Sequence, residues 1–281
     1  MELFDNHAHY NDEKFDEDRD EIINKVYKSG VTKLICAGYS LESSKRALEI
    51  ANNYDFIYTI AGISPNDIPG KNQDEDLEGK TDEEIEKLFT ESLQIVDNQL
   101  EEIEKLALNK KVVAIGEIGL DYYWNKQNKE LQKQVFIKEI ELANKLNLPI
   151  VIHTRDAVMD TLDILKNIKP TIKPGIFHCC PLNIELVKEA LKLGFYISFA
   201  GPVTFKNSKN ARGIIEMVPL DKMLIETDSP YLAPEPVRGT RNDSRNVKYI
   251  AEKIAEFKGI SVEEVALKTY GNAEKVFNIN N

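Results

Sequence analysis

His7 and His9 stand two residues apart in Asp5-Asn6-His7-Ala8-His9, at the end of a short apolar run that holds Leu3 and Phe4. Side chains at i and i+2 of a strand share a face, so two imidazoles flanking the small Ala8 can reach one metal ion. Alone this pair is a weak signal, because short motifs recur by accident. The chain has only 4 histidines, however, and the other two, His153 and His178, also close short apolar runs. Glu117 and Asp228 sit the same way after theirs. Each of the six has a structural explanation when taken singly: a hydrogen-bonded imidazole, a carboxylate capping the Gly116-Glu117-Ile118-Gly119 turn, an Asx turn before Ser229-Pro230. Together they form a ligand set for one or two divalent ions. Imidazole suits Zn, Mn, Ni or Fe, and carboxylate suits Mg or Mn as well.

Such a set works only if the fold gathers it. Short apolar runs with no period of two predict strands at residues 31–38, 56–63, 111–118, 149–153, 174–178, 195–199 and 222–227, after a first strand ending at His7 and His9. Helical spacing of apolar residues predicts helices at 16–29, 41–53, 82–108, 129–146, 156–168, 184–193 and 210–217, with two closing helices at 246–258 and 262–276. Ser40 is a candidate cap for the second helix, and Ser261 with Glu264 a capping box for the last. Strands alternating with helices imply a parallel sheet. Strands covered on both faces read as continuous apolar runs. About eight such units is the count of a (β/α)8 TIM barrel, an α/β fold here with extra C-terminal helices and a single domain over residues 1–281; a doubly wound open sheet is the alternative. In a barrel all strand C-termini open on one rim, where active sites form, so all six residues would converge there.

Composition narrows the partners. A net charge of −11 works against tight nonspecific binding of nucleic acid, which needs clustered Lys and Arg. A catalytic site for a phosphate ester is still allowed where positive charge is local. No apolar run approaches the ~20 residues of a membrane span, and residues 1–11 do not read as a signal peptide. Cys36, Cys179 and Cys180, an odd count with an adjacent pair, suit reduced thiols. A cytoplasmic monomer with no membrane partner is the expectation.

The ordered pieces Asp5-Asn6-His7-Ala8-His9, Gly116-Glu117-Ile118-Gly119-Leu120-Asp121-Tyr122, Ile152-His153-Thr154-Arg155, Phe177-His178-Cys179, Gly201-Pro202-Val203-Thr204-Phe205-Lys206 and Glu226-Thr227-Asp228-Ser229-Pro230-Tyr231-Leu232 run across nearly the whole chain. In them the sequence resembles the TatD-type metal-dependent hydrolases of the amidohydrolase superfamily. The string ending in Tyr231-Leu232, with Arg238-Gly239 shortly after, is its most specific part. The resemblance implies a barrel hydrolase that cuts phosphodiester bonds, with DNA as a transiently bound substrate, as a 3′-5′ exonuclease. It implies two divalent ions (Mg, Mn or Zn): His7, His9 and Asp228 around one, His153 and His178 around the other, and Glu117 between them. Asp228 is then the candidate general base. Arg155 and Lys206 are candidate phosphate contacts, with Arg238 and Arg241 in the loop after the eighth strand, and Glu226 would orient a ligand or pair with an arginine.

The chain also departs from the family. Gly62-Ile63-Ser64-Pro65 stands where a Gly-x-His-Pro turn is usual, so Ser64 takes a position that otherwise holds a substrate-contacting imidazole. A hydroxyl can donate one hydrogen bond but carries no charge. The stretch 70–108 is longer and more acidic than usual, and it would repel phosphate if it lay over the rim. Two other readings follow from the shared fold and from these departures: an esterase, lactonase or deacylase, since function follows the site rather than the barrel, and a binding protein with reduced activity.

Overall fold

The computed structural model describes residues 1–69, 77, 79–126 and 128–279. Its strands are β1 (Leu3–Ala8), β2 (Val31–Ala37), β3 (Ile57–Ala61), β4 (Val112–Asp121), β5 (Ile150–Arg155), β6 (Ile176–Phe177), β7 (Tyr196–Phe199) and β8 (Met223–Ile225). They form one sheet in sequence order, every neighbouring pair parallel. The ends meet beyond β8, where Ala8 bridges Ser229 in parallel fashion. There Asp228 N donates to His7 O (2.9 Å) and His9 N to Ser229 O (2.6 Å). The expected (β/α)8 TIM barrel is therefore the fold. Around it run α1 (Arg19–Lys28), α2 (Leu41–Asn53), α3 (Asp82–Leu106), α4 (Lys129–Leu146), α5 (Val158–Asp163), α6 (Ile184–Lys192) and α7 (Ala211–Met217), and then α8 (Val247–Lys258) and α9 (Val262–Phe277).

Two apolar layers hold the barrel. The larger lies between strands and helices. The smaller fills the lower half of the barrel with residues near the strand starts, among them Phe4, Val113, Ile176 and Tyr196, and is closed below by Ala273, Val276 and Phe277 of α9. Phe4 meets Tyr270 edge-on and stacks on Phe277. Above this plug the interior turns polar, so the fold supplies an apolar floor and a polar rim.

Two register shifts decide what the rim presents. In β1 Phe4 belongs to the inner layer while Ala8 belongs to the outer one, although residues four apart should share a face. The shift between Asp5 and Ala8 inserts the odd step, and with Ala8 outside, its neighbours His7 and His9 both turn inward. In β4 Ala114 is inside and Ile118 outside, again with a shift, here between Gly116 and Ile118, and Glu117 turns inward. Bulges of this kind re-aim side chains next to active sites.

The capping expectations hold in part: Ser40 accepts from Ser43 N and Ser261 from Glu264 N. The fifth expected helix, 156–168, is instead a short α5 followed by a π-helical turn, Ile164–Ile168. Within the acidic stretch, residues 70–76 and 78 lie outside the described residues. Its helical part, α3, packs against α2 and α4 through Ser92, Val96, Leu100 and Ile103. Those four form its buried stripe, so most of its acidic side chains face away from the barrel.

Candidate metal centre

The six residues singled out above meet on the rim around the carboxylate of Glu117. Its Oε2 lies 3.3 Å from His7 Nε2 and 3.8 Å from His9 Nε2. Its Oε1 lies 3.0 Å from His153 Nδ1 and 3.3 Å from His178 Nε2. Each oxygen therefore faces its own pair of imidazoles. Asp228 Oδ1 is 3.2 Å from His9 Nε2 and 3.8 Å from His7 Nε2. Two triads offer ligand atoms within 4.8 Å of one another: His7, His9 and Asp228, and His7, Glu117 and His178. His7 thus stands between the two groups.

What lies behind the imidazoles fits a metal site. A metal-binding histidine usually gives its other ring nitrogen to a carboxylate or a carbonyl, which fixes tautomer and orientation. His9 Nδ1 meets Ala37 O at 3.1 Å. His153 Nε2 meets Asp121 Oδ2 at 2.9 Å, and His178 Nδ1 meets Glu226 Oε1 at 3.3 Å. In all three the opposite nitrogen faces the shared centre. His7 Nε2 is buried there without a hydrogen bond of good geometry, as a nitrogen awaiting a cation would be.

Electrostatics point the same way. Burial works against charge on Glu117, yet the imidazoles of His178, His153 and His7 hold its carboxyl well below the usual range. Asp228 is likewise buried but held low by His9. Burial would lower His153, but Asp121 and Glu117 push it up to about 9. His178 is raised well above its usual value against burial by Glu117 and Glu226. Buried carboxylates thus draw positive charge onto the cluster, and protons and a divalent cation compete for the same nitrogens. The six donors, nitrogen and oxygen in a buried acidic setting, fit a divalent ion.

The rim opens into a cavity of about 750 Å³ lined by Glu117, His153, His178 and Asp228 and also by Ser64, Arg155 and Trp124. The candidate phosphate contacts divide. Arg155 reaches this cavity, and among its described lining residues it is the one lysine or arginine. Lys206 is exposed and does not line it. Arg241 makes a two-pronged ion pair with Asp18, and Arg238 lies over the Phe205 ring at 4.1 Å. Ser64 is buried at the cavity wall and gives its hydroxyl to Asp67 Oδ2 (2.7 Å) while accepting from Asn66 N, so it ties down the loop after β3. Among the described residues Glu226 pairs with no arginine; it accepts from Cys179 N (2.7 Å) and from Ser198 Oγ besides facing His178.

Sequence reasoning gave Asp121 no role. It ends β4, and its carboxyl is held down to about 2, because His153 and the Trp124 N–H outweigh the effect of burial. Oδ2 meets His153, while Oδ1 accepts from Tyr123 N and Trp124 N. Its position four residues after Glu117 was visible, but β4 was expected to stop at residue 118. Asp5 was missed in the same way: it is wholly buried, pushed up to about 7 by burial, and takes the backbone and hydroxyl of Thr227. That bond helps tie β1 to the segment carrying Asp228.

The chain is similar to known proteins along nearly its whole length. A family model described as TatD related DNase matches residues 4–278. The Bacillus subtilis (strain 168) protein named uncharacterized metal-dependent hydrolase YabD is 41% identical over 278 residues, covering 99% of this chain and 100% of its own. The 3′-5′ ssDNA/RNA exonuclease TatD of Citrobacter rodentium is 29% identical over 282 residues, 99% of this chain and 98% of that one. The crystal structure of YjjV, a TatD homologue from Escherichia coli K12, superposes with a TM-score of 0.81 at 25% identity, over 99% of this chain and 98% of that chain. With a family model spanning almost its whole length and close relatives that share its chain from end to end, this chain belongs to the TatD family of metal-dependent hydrolases.

Proposed function

We propose that this chain hydrolyses phosphodiester bonds of nucleic acid from a 3′ end, DNA being the substrate class tested first, with two divalent ions (Mg, Mn or Zn). His7, His9 and Asp228 would hold one ion, His153 and His178 the other, and Glu117 would join them. The observation that carries this reading is the division of Glu117, one oxygen toward His7 and His9 and the other toward His153 and His178. The exonuclease name of the Citrobacter rodentium relative supports the choice of substrate. Divalent ions in such a cradle supply Lewis-acid polarisation of the scissile phosphate and lower the pKa of water.

The protein's own groups supply the rest. Asp228, kept anionic by His9, is the base that takes the proton from the attacking water. Its backbone sits at φ 56°, a left-handed conformation that Asp tolerates better than most residues. Arg155 offers the cavity's cationic contact to a phosphate oxygen, and a guanidinium can do so through two parallel bonds. Asp121 and Glu226 keep His153 and His178 in the rotamer that turns one nitrogen to the centre.

Chelation of purified protein should reduce release of nucleotides from a labelled single strand to the uncatalysed background, and added Mg or Mn should restore it. Full activity in excess chelator would overturn the reading. A 5′ label and a 3′ label on the same strand report the direction of attack, and lactones and phosphotriesters in parallel test the competing hydrolase reading. Asp121→Asn removes the charge behind His153 but keeps its shape. Metal affinity by calorimetric titration should fall about 10- to 100-fold, the usual effect of losing a partner behind a ligand; an unchanged titration would mean that Asp121 serves the turn alone.

A further inference from the structure

The loop after β3 reaches the metal centre by a route that the reaction just described does not use. Ile63 N donates to Glu139 Oε1 of α4 (2.7 Å), and Ser64 N donates to Tyr39 O (2.8 Å). These bonds, with the Ser64 hydroxyl on Asp67, fix the turn that presents Asn66. Its amide spans two neighbours: Oδ1 accepts from Asn125 Nδ2 at 2.7 Å, and Nδ2 donates to Asp121 Oδ2 at 3.1 Å. That same carboxylate oxygen meets His153 Nε2 at 2.9 Å. Behind them Gln132 of α4 is wholly buried. It accepts from Asp121 N (2.8 Å), and its Nε2 lies 3.0 Å from Asn125 O and 2.8 Å from Asn128 Oδ1. One polar network thus joins α4, the loop after β3 and the back of His153.

We infer that Asn66 is a positioning residue for the ion proposed at His153 and His178, and that it couples this ion to the loop after β3. The inference rests on the two-ion reading and deepens it. A carboxylate offers about four acceptor sites, and donors fill those of Asp121. Tyr123 N and Trp124 N take Oδ1, while His153 Nε2 and Asn66 Nδ2 take Oδ2. A carboxylate held this way cannot turn, so the imidazole keeps its Nδ1 3.0 Å from Glu117 Oε1. Without the Asn66 amide, Oδ2 keeps His153 alone among the described residues. The carboxylate is then able to turn toward cavity water and take the imidazole with it. Asn66 lines the cavity, whereas Asp121, Asn125 and Gln132 are not among its described lining residues. The loop's position is therefore felt at His153 through Asn66. Such coupling is reciprocal: what the seated loop adds to the affinity for the ion, the ion adds to the seating of the loop.

The probe is Mn alone, titrated calorimetrically into metal-free protein without substrate. Wild type should take two ions. Asn66→Ala should weaken one of them about 10- to 100-fold and leave the other within about 2-fold. Asp121→Asn should weaken the same ion, and the double variant should lose about as much as either single one, because the two residues act through one contact. Asn66→Asp keeps the size and the acceptor for Asn125 but sets a carboxylate against Asp121, so it should weaken that ion at least as much. Melting curves of the metal-free variants separate this loss from unfolding. Two ions bound unchanged by both Asn66 variants overturn the inference and leave the proposed reaction standing; a rise in KM alone would then make Asn66 a substrate contact. Equal loss of both ions, or losses that add in the double variant, also overturn it. Wild type that binds fewer than two ions overturns the two-ion reading, and the inference with it.

Discussion

Glu117→Gln should retain its fold yet lose stoichiometric divalent metal and about 10³-fold in phosphodiester hydrolysis. The size follows from the several kcal/mol that a metal's charge contributes to such a transition state, at 1.36 kcal/mol per decade of rate. The residue is 8% exposed, and glutamine has the same shape, so packing should survive. What changes is charge at the one point shared by His7, His9, His153 and His178. An amide offers one carbonyl oxygen where the carboxylate offers two acceptors, so the division between the two imidazole pairs is broken. His178 and His153, both raised in part by Glu117, would also shed protons more readily, which is a second measurable consequence. Metal content by elemental analysis, hydrolysis rate and thermal melting should be read on one preparation. Full metal content with an undiminished rate would remove Glu117 from the centre of the site.

Much of that centre could be read before any coordinates. Histidine is scarce in this chain, and all four stood at the ends of apolar runs together with Glu117 and Asp228, so a barrel had to gather them. What could not be read was the mechanism of the gathering. The sequence reading treated β1 as a regular strand and inferred that His7 and His9 share a face. They do, but the inward orientation depends on the register shift between Asp5 and Ala8. Strands covered on both faces show no alternation, so a slipped register leaves no trace in the pattern. The shift beside Glu117 was hidden for the same reason, and it also concealed the three further residues of β4 that carry Asp121. Lys206 and Arg241 show a different limit. A loop's position along the chain gives its place around the barrel, but not which way its side chains lean, and Arg241 found Asp18 instead. Asn66 lay just beyond the Gly62-Ile63-Ser64-Pro65 turn and drew no attention, because only the fold brings it to Asp121.

Gly119→Ala should damage the fold, lowering the melting temperature by roughly 10 °C, from strain and overpacking of about 1–3 kcal/mol each and some 2–4 °C per kcal/mol for a chain of this size. Gly119 has φ 136°, and a Cβ there would fall 2.0 Å from the carbonyl oxygen of His153. The contact is backbone against backbone, and the two residues are paired in register across β4 and β5, so no side chain can rotate away. The strands must part at the point where Glu117 and His153 face each other. Loss of stability should therefore come with loss of metal from the His153 and His178 side. Gly213→Ala is the control: it lies in α7 with nothing within 4 Å of its Cβ position, and alanine there should hold or raise stability by up to about 1 kcal/mol. If both variants melt within 2 °C of the parent, β4 and β5 do not need their close approach at Gly119, and the imidazole of His153 must be placed by Asp121 alone.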